Sequence, residues 1–283
     1  MSAGHFLIGG ELEVRRLGFG AMRVCGPGVW GPPADRASAL QLLRHVVKSG
    51  VNLIDTADAY GPDVSEELIA EALYPYPKDL VIATKGGLTR QGPGQWLSDG
   101  RPEYLRKAIE GSLRRLRTDC IDLYQLHAVD DEVPIEDSIG ELAAAQRRGE
   151  IRSIGVSNVT AVQLVQAQAE ATIVTVQNKY NLTTRKSDEV LDYCAELGIG
   201  FIPWFPLDTG RLATADGVLS LIARAHDATT AQVALAWLLA RAPVVLPIPG
   251  TSSIAHFDEN EGANRVELNK EEMQALSGLD QAR

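Results

Sequence analysis

The sequence predicts an α/β fold, a (β/α)8 TIM barrel with a short N-terminal β-hairpin, in which residues 1–283 form a single domain. Three observations carry this reading. Eight apolar runs rich in β-branched residues recur along the chain, and nearly all are followed by a segment of helical periodicity, the pattern of a parallel sheet covered by helices. Eight repeats favour closure into a barrel over an open sheet. An open doubly wound sheet would place a glycine-rich dinucleotide turn after its first strand, but the glycines of RLGFGAMRVCG lack the GxGxxG spacing that opens a helix.

The elements follow in order. FLIGGELEV carries two short runs around Gly9-Gly10, a dipeptide suited to a tight hairpin turn. RLGFGAM is the first core strand, followed by the Gly/Pro-rich loop RVCGPGVWGPP and a helix over 35–49 capped by Asp35 or Ser38. VNLID is the second strand, with a helix over 64–73. DLVIAT is the third, and the polar stretch GGLTRQGPGQWLSDGR, read as a loop, leads to a helix over 102–117. The alternation continues with IDLYQLH and a helix over 134–148, IRSIGVS and 160–169, TIVTVQ and 187–197. GIGFIPW is the seventh strand, with helices over 214–226 and 229–241. VVLPIPG is the eighth, with helices over 252–263 and 269–279.

Composition narrows the function. Hydrophobic residues make up 45% and charged residues 23%, ordinary globular usage with material for a large core. A formal charge of −10 argues against a nucleic-acid partner, which calls for clustered Lys and Arg. Cys25, Cys120 and Cys194 are odd in number and show no CxxC spacing, as expected in a reducing cytosol. No basic leader with an apolar core opens the chain, and no apolar stretch reaches the roughly 18 residues of a membrane helix. A cytoplasmic protein with no membrane partner is expected, and no partner protein is evident.

Functional residues of such barrels sit at the C-terminal ends of strands. The second, third and fourth runs deliver Asp55, Lys85 and His127 there, and Tyr60 follows Asp55 by five residues. Each has a bland reading alone, as cap, solvated charge or structural imidazole. Together on consecutive strands they form a proton-transfer constellation, with Tyr60 as the acid, Lys85 lowering its pKa, Asp55 holding Lys85, and His127 orienting a carbonyl oxygen. Such a site lacks an electron source, so a hydride-donating cofactor is required.

NLIDTADAYG, VIATKGG and DLYQLHAVD resemble the signature segments of the aldo-keto reductases, whose Asp, Tyr, Lys and His tetrad matches Asp55, Tyr60, Lys85 and His127. GVSN, VQNKYN, FIPWFPL and LPIPGTSSIAHFDEN extend the resemblance over nearly the whole chain. It implies a nicotinamide cofactor bound in extended form, with the acceptor a small carbonyl compound. Ser157, Asn158 and Gln177 match the side chains on the carboxamide, and Trp204 the aromatic on which the ring stacks. Asp55 and the Ala21-Met22 turn also fall at the cofactor. Phe205, Pro206, Leu207, Gly210 and Leu212 belong to the loop over the pyrophosphate, and Pro249, Gly250, Thr251, Ser252, His256, Glu259 and Asn260 to the adenosine end.

Many relatives hold the 2′-phosphate of NADP with a Lys near the position of Gly250 and an Arg near that of His256, and this chain has neither cation. NADP(H) is the expected cofactor, its 2′-phosphate met by hydroxyls, amides and His256, with NAD(H) the alternative. Trp30 and Trp96, with Tyr60 and His127, are the expected substrate residues, with Met22 and Cys25 near the floor. No metal site is expected, since HExxH and clustered ligands are lacking. The alternative function is a cofactor-binding regulatory subunit resembling the potassium-channel β-subunits.

Overall fold

The computed structural model describes residues 4–214 and 216–280. β1 (His5–Ile8) and β2 (Leu12–Arg15) form the N-terminal hairpin, with His5 opposite Arg15. Gly9 and Gly10 turn it at φ values of 60° and 78°, a region that glycine enters without a Cβ penalty.

β3 (Phe19–Gly20), α1 (Arg36–Lys48), β4 (Leu53–Asp55), α2 (Val64–Leu73) and β5 (Val81–Gly86) open the βα alternation. β6 (Leu88–Gly92) and β7 (Gln95–Ser98) intervene before α3 (Pro102–Leu116). β8 (Ile121–Leu126), α4 (Ile135–Arg147), β9 (Ile151–Ser157), α5 (Ala161–Glu170), β10 (Ile173–Gln177), α6 (Asp188–Leu197) and β11 (Gly200–Phe201) continue it. α7 (Val218–Ala225), α8 (Thr230–Arg241), α9 (Ile254–Glu261) and α10 (Lys270–Ser277) complete the order. The strands β3-β4-β5-β8-β9-β10-β11 lie side by side in one parallel sheet.

The eighth strand departs from expectation. Residues 244–249 sit between β11 and β3 and close the barrel, through Phe201 N–H to Val244 O at 2.8 Å, Leu246 N–H to Phe201 O at 2.8 Å and Gly18 N–H to Pro247 O at 2.9 Å. They form no regular strand, because Pro247 and Pro249 have no N–H to give to a ladder. The polar stretch after β5 also departs, since β6 and β7 pair antiparallel about Pro93 and Gly94, the latter at φ 73°. The helix expected from 214 begins at Val218, after a 3-10 segment at Asp208–Thr214. At α1 it is Asp35 that caps, accepting from Ser38 N–H at 3.0 Å.

Strand alternation sorts the side chains into two cores. Ile54, Ile82, Tyr124, Leu126, Ile154, Val156 and Val176 face outward into the layer shared with the helices. Leu53, Val81, Ala83 and Leu123 face inward, joined by Ile202, Leu246 and Ile248. Ile8, Leu12 and Val14 of the hairpin pack into that inner cluster, so the hairpin closes the N-terminal end of the barrel. One step further along the same inward phase come Asp55, Lys85 and Gln125, each almost wholly buried. The barrel interior therefore changes from apolar to polar at the C-terminal ends of its strands.

Candidate active site

Parallel register brings the polar layer together. Asp55 pairs with Gly20 and Ala83, Lys85 with Gln125, and Ser157 with Gln177. Gly155 stands between Gln125 and Thr175, where a Cβ would meet Thr175 Oγ1 at 2.2 Å and Gln125 Cγ at 2.9 Å, so its bare backbone makes room for the Gln125 side chain.

Lys85 is fully buried and its three donors are all directed. Nζ donates to Asp55 Oδ1 at 2.6 Å, to Thr56 O at 2.7 Å and to the Tyr60 hydroxyl oxygen at 3.5 Å. Asp55 Oδ2 accepts from Gln125 Nε2 at 3.2 Å and Gln177 Nε2 at 2.8 Å. A buried carboxylate supplied with three donors and an ammonium supplied with three acceptors meets the condition under which a buried ion pair is tolerated. Because the Tyr60 oxygen accepts from Lys85, its own proton is left for an acceptor in the cleft.

Burial and neighbouring charges bias each protonation state. Burial pushes the Tyr60 phenol above its ordinary value, outweighing the opposing pull of the Lys85 ammonium, so the expected lowering is overturned by desolvation. Burial alone would lower Lys85, but Asp55 and Tyr60 together raise it, keeping it an ammonium. Burial holds His127 well below the usual histidine range, helped by the charges of Lys85 and Arg90. His127 is therefore a neutral imidazole, and its Nδ1 has no hydrogen-bond partner among the described residues. Cys25 packs beside Tyr60 with its thiol pushed up to about 12 by burial, which leaves it unreactive.

Tyr60, Asp55 and His127 open into a cleft of about 1120 Å³ that runs over the C-terminal rim. Ser157, Asn158, Gln177 and Trp204 line its middle. Asn158 adopts a left-handed φ of 59°. Its Nδ2 donates to His127 O, and its Oδ1 accepts from Trp204 Nε1, both at 3.0 Å. Phe205, Pro206, Leu207 and Gly210 line one wall, and Pro249 to Ser252, His256, Glu259 and Asn260 the far end, beside the N-terminus of α9. Met22 and Trp96 also line the cleft, whereas Ala21, Leu212 and Trp30 do not. Ala21 is buried, and its carbonyl accepts from Ser65 Oγ at 3.2 Å.

Three contributors escaped sequence reasoning. Gln125 shares the inward phase of Lys85, a signal present in DLYQLH. Arg90 stacks on Trp96 with Cζ 3.6 Å from the ring centroid. Arg23 is the one Lys or Arg among the described residues lining the cleft. Its Cγ lies 3.6 Å from where a Cβ on Gly250 would stand. That same Cβ would meet Gly20 O at 2.6 Å, so the backbone packing excludes any side chain at 250.

The cleft's donor set suits a dinucleotide. Amides and a hydroxyl stand near the tetrad, an indole lies between, and hydroxyls, an imidazole, a helix N-terminus and a guanidinium stand at the distal end, where phosphates would be met. The model of the Aldo/keto reductase family matches residues 16–281. The chain belongs to that family. It is 45% identical over 285 residues to pyridoxine 4-dehydrogenase of Escherichia coli, with 99% of each chain covered. Its fold matches the glycerol dehydrogenase of Gluconobacter oxydans at TM-score 0.88 and 28% identity, covering 98% of this chain and 94% of the other. An aldo-keto reductase of Klebsiella pneumoniae solved with NADPH matches at TM-score 0.83 and 27% identity, covering 99% and 95%. This aldo-keto reductase is thus an oxidoreductase on a barrel scaffold. Among its described residues no helix is long and apolar enough to cross a membrane.

Proposed function

We propose that this aldo-keto reductase reduces an aldehyde or ketone to the alcohol with NADPH, Tyr60 giving the proton. The observation that carries the reading is the contact of Lys85 Nζ with both Asp55, at 2.6 Å, and the Tyr60 oxygen, at 3.5 Å. When bound, the nicotinamide supplies a hydride to the carbonyl carbon, and negative charge develops on the carbonyl oxygen. The Tyr60 hydroxyl, held from behind by Lys85, delivers its proton to that oxygen. The fixed ammonium stabilises the phenolate left behind, and no reorganisation of water is needed at a buried site. His127, neutral with Nδ1 unpaired, is suited to a hydrogen bond that orients the carbonyl.

Ser157 and Gln177 would hold the carboxamide and Trp204 the ring face. Thr251, Ser252, His256 and Arg23 supply the distal donors. A cofactor carrying a pyrophosphate and a 2′-phosphate in a chain of charge −10 needs local positive charge, which Arg23, the one Lys or Arg among the described residues lining the cleft, would supply. The name of the Escherichia coli relative, pyridoxine 4-dehydrogenase, puts pyridoxal first among candidate substrates, since the reverse of that oxidation is its reduction. Mixing the purified chain with NADPH or NADH and a panel of pyridoxal, sugar aldehydes and small ketones tests the reading. Loss of absorbance at the reduced nicotinamide band is expected with at least one aldehyde, faster with NADPH. Cofactor binding with no carbonyl-dependent oxidation across the panel would favour a regulatory role instead.

A further inference from the structure

The guanidinium of Arg90 is saturated by backbone. Nε donates to Gln95 O at 3.1 Å, Nη1 to Val29 O and Ala59 O at 3.0 Å each, and Nη2 to Gly28 O at 3.0 Å and Gly92 O at 3.4 Å. Five N–H donors thus meet five carbonyls, and none is left for a ligand. Those carbonyls belong to three separate segments, the loop after β3, the residue before Tyr60, and the β6–β7 hairpin. The faces of the same cation are taken by aromatics, with Cζ 3.6 Å from the Trp96 centroid and 5.6 Å from that of Trp30. Trp96 in turn stands edge-on to Tyr60 and His127, its ring centroid 6.3 Å from each.

We propose that Arg90 is a positioning residue that sets the substrate class: by strapping the β6–β7 hairpin over the rim it fixes Trp96 as a flat wall beside Tyr60 and His127, and so favours a planar aromatic aldehyde over an aliphatic one. A planar ring can lie against that wall with its carbonyl directed at the phenol and imidazole. A flexible chain gains little from a rigid flat face. The strap supplies contacts that a hairpin of short, partly exposed strands needs, since a two-stranded ribbon is marginal alone. A guanidinium serves here where an ammonium cannot, because three rotatable donors do not span five fixed acceptors and offer no planar face to an indole. The proposal rests on the carbonyl-reductase reading for its kinetic consequence, and on geometry alone for the strap.

The test compares wild type with Arg90→Met, Arg90→Lys and Trp96→Phe, using benzaldehyde and propanal as substrates, titration of NADPH by fluorescence, and near-ultraviolet circular dichroism. Arg90→Met is expected to lower the benzaldehyde-to-propanal ratio of kcat/KM at least tenfold, mainly through the benzaldehyde KM, with the NADPH dissociation constant unmoved. Arg90→Lys should fail to rescue the ratio, and the aromatic dichroism band lost in Trp96→Phe should be lost or displaced in Arg90→Met. An unchanged ratio in folded Arg90→Met overturns the proposal. If that variant does not fold, an unchanged ratio in Trp96→Ala overturns it. Should wild type oxidise NADPH with neither of these nor any member of the pyridoxal, sugar-aldehyde and ketone panel, the reductase reading fails separately, and a Trp96 band retained in Arg90→Met overturns the strap itself.

Discussion

Lys85 Nζ approaches the Tyr60 hydroxyl oxygen at 3.5 Å while lying 5.1 Å from the centre of the same ring. The ammonium therefore acts on the phenol chiefly through its oxygen. Replacing Tyr60 by Phe keeps the ring and removes the acid. A loss of 10²-fold to 10⁴-fold in kcat, the usual contribution of a positioned acid, is expected in steady-state assays, with the NADPH dissociation constant little changed.

Lys85→Met should harm stability as well as turnover. It strands a buried Asp55 carboxylate that retains only the amides of Gln125 and Gln177, and breaking a buried pair costs about 3–5 kcal/mol. Urea unfolding would show the drop. Adding Asp55→Asn to Lys85→Met should recover part of it, and a double variant no more stable than the single would contradict the pairing.

The pH dependence has a definite sign. In the proposed reduction the acid is the Tyr60 phenol, whose pKa burial lifts above the ordinary 10.0, so reduction should stay level through neutral pH and decline only beyond the usual tyrosine range. Alcohol oxidation needs the phenolate and should rise with pH over that same range. Rate profiles in both directions check this, and a reduction limb that falls near pH 7 would count against Tyr60.

Asp58 supplies a stability test. Burial, then the Glu66 charge, lifts its carboxyl well above the usual 3.8. The native state then binds the proton more tightly than the unfolded chain, so the contribution is fully present below 3.8 and is lost as pH rises through the native value. Asp58→Asn removes that loss. The difference in urea midpoint between variant and wild type should therefore move in favour of the variant from pH 4 to pH 8, and a constant difference would deny the shift.

Arg23→Gln should weaken NADPH binding about tenfold or more, since a hydrogen bond to a charged group contributes ~1.5–3 kcal/mol. The variant should also lose part of the salt sensitivity of binding. Titration of NADPH and NADH in low and moderate salt reads both. An equal loss for the two cofactors would assign the guanidinium to the pyrophosphate, and no loss for either would remove it from the site.

Much of this site was legible in the chain because strand periodicity is strict. An inward Leu53 requires an inward Asp55, and an inward Val81 and Ala83 require Lys85. The same reasoning applied to Leu123 would have found Gln125. Arg90 was hidden because its partners are backbone carbonyls from three segments, which no side-chain pattern announces. Pro247 and Pro249 preserved the eighth strand's position while removing its ladder, a consequence readable from proline chemistry. Trp30 shared its aromatic character with Trp96 but lies outside the cleft, 5.6 Å from the Arg90 cation against 3.6 Å for Trp96, a distinction that depends on folding of the β6–β7 hairpin.

The most direct test of proton donation by Tyr60 is a single-turnover experiment with enzyme-bound NADPH and pyridoxal, wild type beside Tyr60→Phe. Rapid oxidation of the bound cofactor by wild type, with the variant binding NADPH equally but oxidising it at least 10²-fold more slowly, is the expected result. Equal rates in the two proteins would contradict it.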